Sequence, residues 1–172
     1  LFEKDSEKTA LAEEGGGDIF DLVLHQGDEK TSGSVNYLGE FYSEAFDSAE
    51  KQLVLDSIIT VGENPLHPVG FDSRVETTDK IFLLSYDEAK TFFKKGSERT
   101  SMCTPYAVSM QHTYSAKPAK ANTSIRWWLR TPGRNSDFAT VVNEYGIIDT
   151  NGEDKSLASI GVRPAMWIDI KY

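Results

Sequence analysis

Apolar and polar positions along this chain fall into two regimes, helix-like spacing mixed with short strands in the first two thirds and strand-like runs in the last third. Tyr37, Leu38, Phe41, Tyr42, Ala45 and Phe46 recur every three to four residues, which places them on one stripe of an amphipathic helix facing the core. Asp47 with Glu50 has capping-box spacing, Ser48 being the other candidate cap, and predicts a second helix through Leu53. SIITV (57–61) reads as a short strand and KIFLL (80–84) as a buried one. Ser85 with Glu88 caps a helix carrying Ala89, Phe92 and Phe93, which Gly96 stops. Between these lies a loop over 62–76, where Pro65 and Pro68 remove backbone donors. Residues 97–122 are polar apart from a possible helical turn at 105–110, the expected place for binding loops.

At the N-terminus, residues 1–17 are charged, weakly helical around Ala10 to Ala12, and end in Gly15, Gly16 and Gly17. They are expected to be a flexible tail or tether, with 18–172 forming a single domain. In 18–25, Ile19, Asp21 and Val23 alternate with Phe20, Leu22 and Leu24 as in a strand, followed by a loop over 27–33.

The last third is bracketed by WWLRTPG (127–133) and GVRPAMW (161–167), which hold all three tryptophans. Its aromatic and β-branched runs are separated by Pro-Gly, Tyr-Gly and Asn-Gly, so a meander of antiparallel strands with turns at those pairs is predicted. Alternation puts Ile125, Trp127 and Leu129 on one face of the first strand and Arg126, Trp128 and Arg130 on the other. In a last strand, Val162, Met166 and Ile168 oppose Arg163, Trp167 and Asp169. One face is core. The other is either a second small core with arginines held by buried carboxylates or an aromatic and guanidinium platform for a ligand. On the platform reading the ligand-contact candidates are Trp128, Arg126 and Arg134.

The 172 residues carry 18 basic and 27 acidic side chains, a formal charge of -9. Such a surface repels phosphate backbones and anionic lipid, which argues against nucleic acid as a partner. No apolar run approaches a membrane span, so no insertion by this chain is expected. Cys103 is the single cysteine, which excludes an intrachain disulfide.

Candidate chemistry is thin. Glu63-Asn64-Pro65 has residues seen in calcium-binding lectin loops but in another order, and fits a proline-bounded turn better. DTNGEDK (149–155) offers Asp149, Asn151 and Glu153 at alternate positions, but its glycine is fourth rather than sixth and its twelfth residue is Ile160, so a hairpin turn is the better reading. Cys103 has no second thiol nearby, and His112 brings no hydrolase signature. His25, His67 and His112 share no metal spacing. No catalytic residue, metal or cofactor is expected.

TTDKIFLLSYDEAKTFF, WWLRTPG and GVRPAMWIDI, in that order, resemble a bacterial domain-of-unknown-function family whose members carry T-x-DKIFLLS, WWLRSPG and GVRPALWI. FYSEAF with Glu50-Lys51 is similar to that family's early helix pair, and the resemblance covers about 35–170. This chain has Thr131 where serine is usual and lacks the Trp-x-x-Ser-x-(Ile/Leu)-Arg segment expected before the helix pair. The resemblance marks Trp127, Arg130, Pro132, Gly133, Gly161, Arg163, Pro164 and Trp167 as structural signature residues. The implied fold is α+β and C-type-lectin-like, with two to three helices on a twisted antiparallel sheet with long loops. It further implies an extracellular or cell-surface recognition or adhesion module that binds protein or glycan without a metal. The alternatives are an enzyme, hydrolase or oxidase, with a site in 97–122, and a structural spacer of a surface protein.

Overall fold

The computed structural model describes residues 2–4, 8–12, 42–43, 45–68, 76–105, 123–157 and 159–170. The expected strand over 18–25, the loop over 27–33, most of the first amphipathic helix and most of the 97–122 loop lie outside them. The fold is α+β with more strand than helix: three short helices and small antiparallel sheets among the described residues.

Local chemistry sets the helix starts. Asp47 caps helix α1 (Ser48–Leu53), its carboxylate accepting the N–H of Ala49 at 2.7 Å and of Glu50 at 2.9 Å while Glu50 takes the N–H of Asp47. Ser85 and Glu88 make the same reciprocal pair at the start of α2 (Tyr86–Phe92). That helix ends at Phe92, and Gly96 opens a further short helix, α3 (Gly96–Arg99), rather than stopping α2.

The Asp47 carboxyl is held below its ordinary value by the backbone N–H of Glu50 and then of Ala49. A folded-state value below the unfolded one contributes stability above the ordinary carboxylate range of about 4, and that contribution is lost as pH falls through the folded value. Asp47→Ala is therefore expected to lower the melting temperature at neutral pH and to make little difference in strong acid. Thermal melts of both proteins across that range check it.

The central sheet has the order β7-β8-β9, built from β7 (Trp127–Pro132), β8 (Phe138–Val142) and β9 (Ile148–Asp154). All six residues of β7 are buried, because the sheet is covered on both faces. Trp127, Leu129 and Val142 pack with Ile59, Phe82, Leu84, Ala89 and Phe93 on one side. Trp128, Val141 and Ala139 pack with Leu83, Ile160 and Val162 on the other. A strand enclosed on both faces needs a continuous apolar run, which is what Trp127-Trp128-Leu129 supplies.

Elsewhere, β3 (Ser57–Thr60) pairs with β4 (Glu76–Asp79), a strand that begins at the last residue of the expected loop. β5 (Ser101–Met102) pairs with β6 (Ser124–Ile125). Within the expected tail, the backbone of β2 (Lys8–Ala12) is extended rather than helical, pairing with β1 (Phe2–Lys4) on one side and β10 (Ala165–Asp169) on the other.

Three further sequence expectations are corrected. Residues 81–84 are buried but form only a bridge, Phe82 exchanging both backbone hydrogen bonds with Ala165 while Leu84 accepts from the N–H of Arg130. The last strand divides at Arg163-Pro164: Gly161 pairs beside Trp127 and Val162 joins the Trp128 cluster, whereas β10 runs beside Val54 and Phe82. Proline lacks the N–H a continuous ladder needs. Met166 and Ile168 accordingly pack with Val54, Ile81, Tyr42 and Phe46 in a third cluster, not with Val162. Asn151-Gly152 is not a hairpin turn but lies inside β9, where Gly152 takes φ 73° in a bulge. The turn expected at Tyr145-Gly146 is present, with Gly146 at φ 75°, whereas Pro132 ends β7 and the reversal after it is made by the turn at 135–138.

Candidate functional site at the loop end of the central sheet

Where β7 ends, its neighbours converge on a buried polar junction. The Arg130 guanidinium, on a side chain 10 % exposed, forms a fork with Glu88, Nη1 at 2.5 Å and Nη2 at 2.9 Å from the two carboxylate oxygens. Its Nε donates to the Thr60 carbonyl and Nη1 to that of Leu83. Glu88 also closes the α2 cap, so one carboxylate ties the helix start to β7. Thr131 is fully enclosed and accepts the N–H of Tyr86 at 2.9 Å, fixing the first turn of α2 to the same strand.

Both outer strands bulge around Thr140. Trp128 to Pro132 on β7 faces Val141 to Ala139 on β8, and Asp149 to Glu153 on β9 faces the same pair. Each outer strand therefore carries two extra residues and arches away, leaving carbonyls that the ladder does not satisfy. Asn64, 4 % exposed, fills the gap, its Nδ2 donating to the carbonyls of Pro132 at 2.8 Å and Thr150 at 2.7 Å. Its Oδ1 accepts the N–H of Leu66 and His67, which folds 64–67 into a tight turn. With that oxygen facing two amide hydrogens, Glu63-Asn64-Pro65 is a structural anchor and Asn64 presents no lone pair outward for a cation. Among the described residues no group of three or more His, Cys, Asp or Glu lies close enough to hold a metal ion.

Two loops, carrying His67 and Arg134, meet the bulged part of β9 over this junction and form its solvent rim. His67 Nε2 lies 2.9 Å from Asn151 Oδ1, and the N–H of Arg134 donates to the Asn151 carbonyl at 2.9 Å. The Arg134 guanidinium lies 4.0 Å above the Phe138 ring. Gly133 makes that approach possible, since a Cβ there would stand 2.7 Å from both the Asn151 carbonyl oxygen and Phe138 Cβ. Leu66, 70 % exposed, stands next to His67. Behind the rim the Lys155 amine is buried against the Ser136 carbonyl, and that burial lowers its pKa against the opposing pull of Asp137 and Asp154.

The three ligand-contact candidates do not share a face. Trp128 is 1 % exposed and belongs to the second core cluster. Arg126, just before β7, pairs with Glu144 at 3.3 Å and with Glu153. The Glu144 carboxyl is held below its ordinary value by its own backbone N–H and, after the opposing effect of burial, by Arg126. Arg134, beyond the other end of β7, is the one at the rim. Of the signature residues, Trp127 is enclosed and donates from Nε1 to the Arg99 carbonyl at 2.8 Å. The Arg163 guanidinium lies over the Phe93 and Trp127 rings, Trp167 packs edge-on against Phe92, and Pro164 is buried. At Gly161 a Cβ would fall 2.5 Å from the Ile125 side-chain tip, Cδ1, and 3.3 Å from the Arg126 carbonyl oxygen. Cys103 is 4 % exposed in the interior, while His25 and His112 lie outside the described residues. Asn64, His67 and Asn151 carry no local sequence signal of the rim, because the contacts that define it are all between distant segments.

A family model of a domain of unknown function, DUF6273, matches residues 29–170. The chain belongs to that family. All three motifs that carried the resemblance, and every residue of the junction and rim, lie within the DUF6273 span. No curated protein and no solved structure matches the chain.

Proposed function

We propose that this DUF6273 domain is an extracellular or cell-surface recognition module of C-type-lectin-like architecture, binding protein or glycan through its loop end without an obligatory metal. The observation that carries the reading is the rim itself. Asn64 locks the 64–67 turn to β7 and β9 from beneath, and above that anchor Leu66, His67, Arg134 and Asn151 are presented on a frame cross-linked by hydrogen bonds. Preorganised polar groups beside an apolar contact lower the ordering cost of binding. Trp127, Arg130, Pro132 and Pro164 of the signature are buried instead, whereas Leu66, Arg134 and Asn151 at the rim are exposed.

A glycan array and a pull-down of surface proteins, each run with and without a chelator, test this. The expected result is a retained ligand whose binding, like the melting temperature of the free domain, is unchanged by chelator. Binding that disappears with chelator would overturn the metal-independent part. Turnover of a member of a broad hydrolase or oxidase substrate panel would transfer the domain to the enzyme class.

A further inference from the structure

Building on the recognition reading, we propose that the rim formed by Arg134, Asn151 and His67 binds a carboxylated sugar unit of a glycan. Arg134 is exposed, and its guanidinium carbon stands 4.0 Å from the centre of the Phe138 ring, a contact that restrains the head group at the rim. The ion pairs among the described residues engage Lys80, Arg126 and Arg130, not Arg134. A planar fork with uncommitted donors matches a carboxylate, which accepts two parallel hydrogen bonds from it. The backbone bond from Arg134 to Asn151 keeps the two side chains adjacent. Asn151 turns Oδ1 to His67, so its amide N–H2 is the donor side left for a ligand oxygen.

The surroundings select the kind of acid. Asp137 stands in the same turn as Arg134, and the whole chain carries a charge of -9. A run of acidic peptide would bring several carboxylates against that field, whereas a sugar acid brings one, flanked by hydroxyls that donate to carboxylate and carbonyl oxygens. Exposed Leu66 beside His67 offers an apolar surface to the C–H face of a pyranose ring.

The test uses the full chain against uronic-acid and sialic-acid oligosaccharides, each beside its carboxyl-reduced alcohol, with an acidic peptide as a separate arm. Binding of a carboxylated glycan is expected, with none to the alcohol. Arg134→Gln should weaken it about tenfold or more at a nearly unchanged melting temperature, since the fold uses the backbone of Arg134 and its head group makes only an exposed contact with Phe138. Arg134→Lys should recover only part, keeping charge without the fork. Equal binding of the alcohol, or an Arg134→Gln variant that binds like the parent, overturns the site while glycan binding itself preserves the recognition reading. Arg134-dependent capture of the acidic peptide alone assigns the rim to a peptide and overturns the sugar. Absence of binding in every arm overturns the inference, and the recognition reading then stands or falls on the surface-protein pull-down.

Discussion

Trp128→Ala is expected to cost about 3–5 kcal/mol of stability, the range for removing a large enclosed ring from a core. The ring is 1 % exposed and packs with Leu83, Ala139, Val141, Ile160 and Val162, residues from β8, from the segment before α2 and from the approach to β10. Its removal leaves a cavity where these separate parts meet, so none of them can close it alone. Set against a total stability of roughly 5–15 kcal/mol for a domain, the loss is a large share. Denaturant titration of the variant beside Trp128→Phe checks it, the phenylalanine being expected to retain most of the stability. An alanine variant that unfolds at the parent's midpoint would show that the second face of β7 is not a core.

Arg130→Met should be comparably damaging, about 3–5 kcal/mol, because it strips a partly buried carboxylate of its partner and two carbonyls of their donor. The lower figure is the better expectation, since Glu88 keeps 27 % of its side chain in water and can be partly rehydrated. The double variant Arg130→Met with Glu88→Leu removes the stranded charge and should regain part of the loss, as replacement of a buried ion pair by apolar groups does. Recovery should stay incomplete because Glu88 also takes the N–H of Ser85 in the α2 cap. A double-mutant cycle by chemical denaturation measures both terms, and an additive cycle would mean that the fork contributes no coupling.

Local physics was legible in the sequence. The Asp47–Glu50 and Ser85–Glu88 boxes are three-residue relations, and the structure shows both with the predicted partners. The turn at Tyr145-Gly146 follows from the need for positive φ at one position, and the burial of Trp127 and Leu129 from their place on the face that alternation reads as core. Alternation also named the two options for the Trp128 face, and the Arg130–Glu88 fork has the form of the first.

Only the tertiary structure decided the rest. Asn64 looks like any proline-flanked turn residue until its amide is seen joining carbonyls 68 and 86 positions away. Asn151-Gly152 has the composition of a hairpin turn, yet a positive φ serves a bulge equally well, and the choice depends on what lies across the strand. Val162 and Met166 alternate as if on one strand, but Pro164 lets the chain change neighbours between them, so they enter different cores. Arg134, Asn151 and His67 become a site through bonds between segments that no periodicity relates. Residue order determined the helix caps, the Tyr145-Gly146 turn and one buried face of β7, since those depend on neighbours within a few residues. Which buried run meets which, and what surface their loops then share, is set by long-range packing, which no short stretch of sequence encodes.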